Sequence, residues 1–316
     1  MAHHHHHHMA ARTDDPRLLS LFSAQREEDA DIVIIGFPYD EGCVRNGGRA
    51  GAKKGPAAFR FFLQRLGSVN NLELNVDASH LKLYDAGDIT ASTLEEAHEK
   101  LESKVFTVLA RGAFPFVIGG GNDQSAPNGR AMLRAFPGDV GVINVDSHLD
   151  VRPPLSDGRV HSGTPFRQLL EESSFSGKRF VEFACQGSQC GALHAQYVRD
   201  HQGHLMWLSE VRKKGAVAAL EDAFGLTGKN TFFSFDVDSL KSSDMPGVSC
   251  PAAVGLSAQE AFDMCFLAGK TPTVMMMDMS ELNPLVEEYR SPRVAVYMFY
   301  HFVLGFATRP KPKAEN

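Results

Sequence analysis

Eight short apolar runs, separated by amphipathic stretches, extend from about residue 31 to residue 306, and this alternation most narrows the folds open to the chain. The runs are Asp31 to Phe37, Leu81 to Asp85, Phe114 to Ile118, Val140 to Val145, Arg179 to Ala184, His204 to Leu208, Thr231 to Phe235 and Thr273 to Met277. They predict an α/β fold, a parallel sheet of about eight strands covered by helices on both faces. Between the strands, Ser92-Thr-Leu-Glu95 and Ser257-Ala-Gln-Glu260 have the spacing of capping boxes, and Gly112 and Gly269 stand where those helices should stop. No repeat, low-complexity linker or break in composition divides the chain. One domain is expected over residues 31–308, with a loose lead at 9–30 and a Pro/Lys tail at 309–316. Met1 through His8 read as an expression tag, so six of the fourteen His carry no information.

With 316 residues, 43% hydrophobic and 22% charged, the chain has ample material for a large core. A formal net charge of -6 provides no basic footprint, so Lys53-Lys54 and Lys213-Lys214 read as solvated faces and no nucleic-acid partner is expected. No segment approaches the roughly eighteen apolar residues of a membrane span, and the expected location is cytoplasmic. The five Cys are odd in number and widely spread, which fits a reducing compartment. Cys185 and Cys190 have no second pair at zinc-finger spacing, and no structural zinc is expected.

Open parallel sheets bind ligands beyond the carboxyl ends of their strands. Three segments stand there: Gly119-Gly-Gly-Asn122-Asp123, Asp146-Ser-His148-Leu-Asp150 and Ser234-Phe-Asp236-Val-Asp238. The triple Gly lacks both G-x-G-x-x-G and a Walker Lys, and reads as a close backbone approach. In the two acidic segments the polar groups recur every second residue, which keeps them on one side of an extended strand. Either segment alone could be only a capped turn. Together they offer four carboxylates and one imidazole, and each close carboxylate pair repels by roughly 4 kcal/mol at 4 Å in an effective dielectric near 20. Two divalent cations would cancel that charge, and an oxygen-rich set with one His suits Mn²⁺. His161, in Gly158-Arg-Val-His161-Ser-Gly163, is expected on a loop over the cleft as a proton shuttle, the alternative being an ordinary helix-start histidine. Glu281, before Asn283-Pro284, is expected as a buried carboxylate that orients a cationic substrate, the alternative being a surface ion pair.

Taken in order with Asp278-Met-Ser-Glu-Leu-Asn-Pro284, these segments resemble the signatures of the ureohydrolase family of arginase, agmatinase and formiminoglutamase, over about Asp31 to Thr308. The loop Tyr39-Asp-Glu-Gly-Cys-Val-Arg45-Asn-Gly-Gly-Arg49 looks most like the formiminoglutamase branch, as found in trypanosomatids. The resemblance implies a three-layer α/β/α arginase-like fold and two Mn²⁺ ions sharing a bridging hydroxide. Asp146 and Asp236 would bridge the ions, Asp150 would complete the more buried one, and His148 with Asp238 the other. Asn122 stands where other members have His, and its weaker amide oxygen should leave the more buried ion loosely held. The implied reaction is hydroxide attack on the amidine carbon of N-formimino-L-glutamate, giving L-glutamate and formamide. Glu281 would hold the cationic nitrogens and His161 would pass the proton. Arg45, Asn46, Arg49 and Arg159 are the expected partners of the substrate carboxylates.

By the same analogy Cys43 and Cys250 border the cleft as a possible redox pair, the alternative being two unrelated thiols. A homo-oligomer is expected from the family. The competing readings are agmatinase or another guanidine hydrolase, and a metal-depleted, inactive relative that only binds.

Overall fold

The structure is a computed structural model that describes residues 14–310. The tag reading and residues 311–316 of the expected tail lie outside the described residues. All eight predicted strands form one sheet: β1 (Ile32–Phe37), β4 (Leu83–Asp88), β5 (Phe114–Gly119), β6 (Gly141–Val145), β7 (Phe180–Cys185), β8 (His204–Trp207), β9 (Thr231–Asp236) and β10 (Val274–Ser280). Their order is β4-β1-β5-β10-β9-β6-β7-β8, and every pair is parallel. A small antiparallel pair, β2 (Asn70–Asn71) with β3 (Val76–Asp77), has no apolar run to announce it.

Alternation along each strand divides the apolar residues between two cores, as a period of two requires. On β1, Ile32 and Ile34 enter one core while Val33, Ile35 and Phe37 enter the other; on β9, Phe233 and Phe235 oppose Phe232. The first core is closed by α2 (Gly55–Leu63), α7 (Leu208–Lys214), α8 (Ala216–Thr227), α9 (Ala258–Lys270) and α10 (Arg290–Ala307). The second is closed by α3 (Leu94–Ala110), α4 (Ser125–Ala135), α5 (Pro165–Leu170) and α6 (Ala192–Asp200). A short helix, α1 (Glu41–Arg45), follows β1. The result is the expected α/β/α layering. Among the described residues, no helix is long and apolar enough to cross a membrane.

Three local expectations are corrected. Helix α3 is capped one residue later than the Ser92 box: Thr93 accepts the Glu96 N–H at 3.1 Å, and Glu96 reaches back to the Ser92 N–H at 3.2 Å. Both hydroxyl residues have a Glu three positions on, and burial of Leu94 chooses between them. Gly269 does not end α9 but lies inside it. A Cβ there would sit 2.1 Å from the Phe302 oxygen, and one at Gly305 of α10 would sit 2.1 Å from the Phe266 oxygen, so these glycines let two helix backbones touch. The lead is not loose where it is described, because Leu18 and Leu21 are buried in the first core. The Ser257 to Glu260 box is present as predicted, and Gly112, at φ +84°, follows the end of α3.

Candidate metal centre

Four neighbouring strands at the middle of the sheet, β5, β10, β9 and β6, supply the site from their carboxyl ends. Val145 pairs with Phe235, so the next residues, Asp146 and Asp236, leave adjacent strands side by side. Each then folds its own chain back: Asp146 Oδ1 accepts the His148 N–H and Asp236 Oδ1 accepts the Asp238 N–H, both at 2.9 Å. The capped turn and the convergent acids, alternatives in the sequence, are therefore one arrangement. Asp150 adopts φ +56°, a left-handed conformation that Asp tolerates better than most residues, and its carboxylate joins the group. Ligand atoms of Asp146, His148 and Asp238 lie within 4.8 Å of one another, as do those of Asp146, Asp150 and Asp236.

No Lys or Arg pairs with these four carboxylates among the described residues; only His148 does, at 3.1 Å from Asp146 and 3.7 Å from Asp238. Burial, reinforced by Asp150 and Asp238, pushes the Asp146 carboxyl well above its ordinary value, and burial with Asp146 does the same to Asp236. Burial would lower the His148 imidazole, but the acids around it, Asp238 first, lift it to about 11. A protonated imidazole here is the cluster's own stand-in for a cation. Among the described residues, Asp238 Oδ1 is buried with no hydrogen-bond partner. An oxygen-rich donor set with an orphaned buried carboxylate oxygen fits divalent cations, and binding one must displace the His148 proton.

Asn122 reaches the cluster, but through the opposite end of its amide from the one expected. Its Nδ2 donates to Asp150 at 2.6 Å and shares its second hydrogen between Asp146 at 3.2 Å and Asp236 at 3.4 Å, while Oδ1 lies 3.0 Å from Ser125 Oγ. Facing bare carboxylates, the donor end is the favourable one; half a turn about χ2 would present the oxygen. Beneath it, the buried Asp278 accepts from Ser125, Ser234 and Asn128.

Above the cluster opens a cavity of about 520 Å³. Glu281 lines it from a strained left-handed backbone at φ +78°. Its carboxylate accepts the Asn122 N–H and the Cys43 thiol, each at 3.1 Å, and burial pushes it up to about 8. It is not the surface ion pair of the alternative reading. Cys43 and Cys250 both line the cavity and both are free thiols. Asn46 and Arg49 are at the wall, the former donating to Ser162 Oγ at 3.2 Å and the latter to the Ser249 carbonyl at 3.0 Å.

Other expected residues turn away. Arg45, at the end of α1, donates to Glu95 at 2.8 Å and Glu41 at 2.5 Å, and Arg159, on a loop, donates to Asp157 at 2.7 Å; neither lines the cavity, because a nearby acid captures each guanidinium. His161 is buried behind the wall: Nδ1 accepts the Gly163 N–H and Nε2 faces the Pro153 carbonyl, both at 3.1 Å, and burial lowers the imidazole. Arg152 and His194, not expected, line the cavity instead. The available signal was the place of Arg152, two residues beyond Asp150.

Residues 30–305 match the arginase family model. A formimidoylglutamase of Aeromonas salmonicida is 32% identical over 287 residues, covering 85% of each chain. One of Geobacillus thermodenitrificans is 34% identical over 283 residues, covering 86% of this chain and 83% of that one. A crystal structure of an oxidized Trypanosoma cruzi formiminoglutamase with Mn²⁺ at pH 6.0 superimposes with a TM-score of 0.90 and is 97% identical, covering 94% of this chain and all of that one. A formimidoylglutamase of Bacillus subtilis, 23% identical, shares the fold with a TM-score of 0.88 over 96% of this chain and 95% of that one. The family match spans nearly the whole folded chain and includes every strand whose end supplies the acid cluster, so the chain belongs to the arginase family.

Proposed function

We propose that this protein is a manganese-dependent hydrolase that cleaves N-formimino-L-glutamate to L-glutamate and formamide. The reading is carried by one observation: a buried acid cluster with no Lys or Arg partner among the described residues forms the floor of a cavity whose wall carries cations. The names of the 32% and 97% identical relatives support the substrate. Two Mn²⁺ ions would be held by Asp146, Asp150, Asp236 and Asp238 with His148 and Asn122, the ion nearer Asn122 less tightly. When bound, they supply a water of lowered pKa as a nucleophile near neutral pH.

The remaining work falls to the protein. Glu281, beside the cluster, accepts hydrogen bonds from the amidine nitrogens and sets the carbon above the metal ligands. His161 receives or returns a proton only when the loop at Gly158 to Gly163 opens and frees Nδ1 from the Gly163 N–H. Asn46 and Arg49 stand where substrate carboxylates would enter. Oxidation joining Cys43 to Cys250 would remove the Cys43 hydrogen bond from Glu281 and narrow the entrance. Counting thiols alongside activity before and after reduction tests that pairing; equal activity at both counts would reject a regulatory role. A homo-oligomer in the cytoplasm is the accompanying expectation from the family.

The deciding assay is release of glutamate and formamide from formiminoglutamate as Mn²⁺ is added to chelator-treated protein, run beside arginine and agmatine. Urea from either guanidine, with no formamide, would sink the reading. One observation favours a second reading, a metal-depleted relative that only binds: the Asn122 amide nitrogen already lies within hydrogen-bond reach of three of the acids. Failure to retain Mn²⁺ after loading and desalting would support it.

A further inference from the structure

A row of buried polar side chains crosses the sheet one layer beneath the acid floor. Asp278, Ser234, Asn144 and Glu182 are register partners on β10, β9, β6 and β7, and all four are fully buried. Ser234 and Asn144 stand two residues before Asp236 and Asp146, which places them on the same face of their strands as those acids. The two acid ends of the row are satisfied differently. Asp278 accepts from Ser234 at 2.7 Å, Ser125 at 2.8 Å and Asn128 at 3.0 Å, so both of its oxygens are occupied. Among the described residues, the Glu182 side chain accepts only Asn144 Nδ2, at 2.9 Å on Oε1, while Glu182 Oε2 and Asn144 Oδ1 are buried without partners. Burial pushes the Glu182 carboxyl well above its ordinary value, against the Asn144 hydrogen bond. One proton on Glu182 would answer both bare oxygens. A carboxylic acid and a primary amide each present a donor beside an acceptor, so the Glu182 O–H meets Asn144 Oδ1 while Oε1 keeps the first Nδ2 hydrogen. The second Nδ2 hydrogen then faces Asp150 Oδ2, 3.4 Å from the nitrogen.

We propose that Glu182 is a positioning residue for the metal centre: held as a neutral acid in a two-bond ring with the Asn144 amide, it aims the second Nδ2 hydrogen at Asp150. The proposal rests on the metal-centre reading given above and deepens it. Asp150 Oδ2 accepts from two amides, Asn122 at 2.6 Å and Asn144 at 3.4 Å. When Asn122 turns its oxygen to an ion, Asn144 is the amide left to hold that carboxylate. Without the ring, the Asn144 amide is free to turn about χ2, and half a turn would set its oxygen against the Asp150 oxygen. An ionised Glu182 would also accept from Nδ2, but it would leave two buried oxygens bare and add a further negative charge beneath the floor.

The test compares wild type, Glu182→Gln and Glu182→Met, each stripped by chelator and titrated with Mn²⁺ in a calorimeter, with folding checked by circular dichroism. Glu182→Gln should keep Mn²⁺ affinity within about twofold, because its amide closes the same ring, whereas Glu182→Met should weaken it about tenfold or more. Infrared spectra of the Mn²⁺-loaded proteins supply a readout that a merely structural role would not move. Wild type should show the carbonyl band of a protonated carboxyl at about pH 8, where an ordinary Glu is fully ionised, and Glu182→Gln should lose it. Equal Mn²⁺ affinity in wild type and Glu182→Met would overturn the proposal, as would a loss in Glu182→Gln as large as in Glu182→Met, or a spectrum with no band that Glu182→Gln removes. Should Glu182→Met fail to fold, the affinity of Glu182→Gln and the infrared band decide by themselves. If wild type binds no Mn²⁺, the metal reading fails and the role toward the ion with it, whereas a band lost in Glu182→Gln still upholds the acid-amide pair.

Discussion

At the floor of the cavity Asp146, Asp150, Asp236 and Asp238 face one another with no Lys or Arg partner among the described residues, whereas at its edge Arg45 is tied to Glu41 and Glu95, and Arg159 to Asp157. The floor acids leave neighbouring strands of one sheet, and the hydrogen-bonded register fixes where they point even though they repel. The edge cations stand on loops and short helices, where a long side chain can turn to the nearest acid. Charge left unpaired in a rigid place is therefore a sign of a site. On a loop an unpaired charge ordinarily faces water, whereas Arg152, its backbone pinned at Gly163, lines the cavity.

The comparison breaks most sharply at Asp146, which belongs to both groups of converging ligand atoms. Asp146→Ala should empty the centre of Mn²⁺ and lower kcat/KM by on the order of 10³-fold, the equivalent of several kcal/mol of lost charge stabilisation. Metal analysis of the purified variant checks it, and full Mn²⁺ content would show that the floor is not the metal centre.

One layer below, Asp278 tests what a buried acid costs when hydrogen bonds rather than cations satisfy it. Burial pushes its carboxyl up to about 6 from the ordinary 3.8, against hydrogen bonds from Asn128, Ser234 and Ser125. A group raised in this way favours the folded chain fully below pH 3.8, and that contribution is lost as pH rises through about 6. Asp278→Asn should abolish a loss on the order of 3 kcal/mol between pH 4 and pH 7. Urea unfolding of chelated wild type and variant at both pH values measures it, and parallel pH trends would reject the assignment.

Asn122→His should sharpen the floor itself by replacing an amide with a better donor to a transition metal, tightening Mn²⁺ retention about tenfold. Equal retention on dialysis would mean that the position does not reach the ion. The smallest effect belongs to the edge. Arg45→Met should leave KM within about twofold and cost about 1 kcal/mol of stability, because Glu41 and Glu95 are more than half exposed and water screens the pairs. A tenfold change in KM would place Arg45 at the substrate after all.

Several layers of this molecule were legible in the sequence alone. The apolar runs located all eight sheet strands to within a few residues, because burial on both faces leaves continuous hydrophobic segments. The two-residue spacing of Asp146, His148 and Asp150, and of Asp236 and Asp238, announced convergent groups at strand ends. Less legible were features settled by packing across the chain. Gly269 looks like a helix stop until α10 is laid against it, and Leu18 looks like a loose lead until it meets the first core.

The chain by itself determined which residues are strand, which strand ends carry acid, and that those acids would repel one another if brought together, since periodicity and charge are properties of neighbours in sequence. Only the tertiary structure decided that Asn122 turns its amide nitrogen to the acids, that His161 lies behind the wall, and that Arg152 rather than Arg45 or Arg159 faces the cavity. Those directions depend on partners far away along the chain, and a flexible polar side chain goes to whichever partner the fold brings within reach.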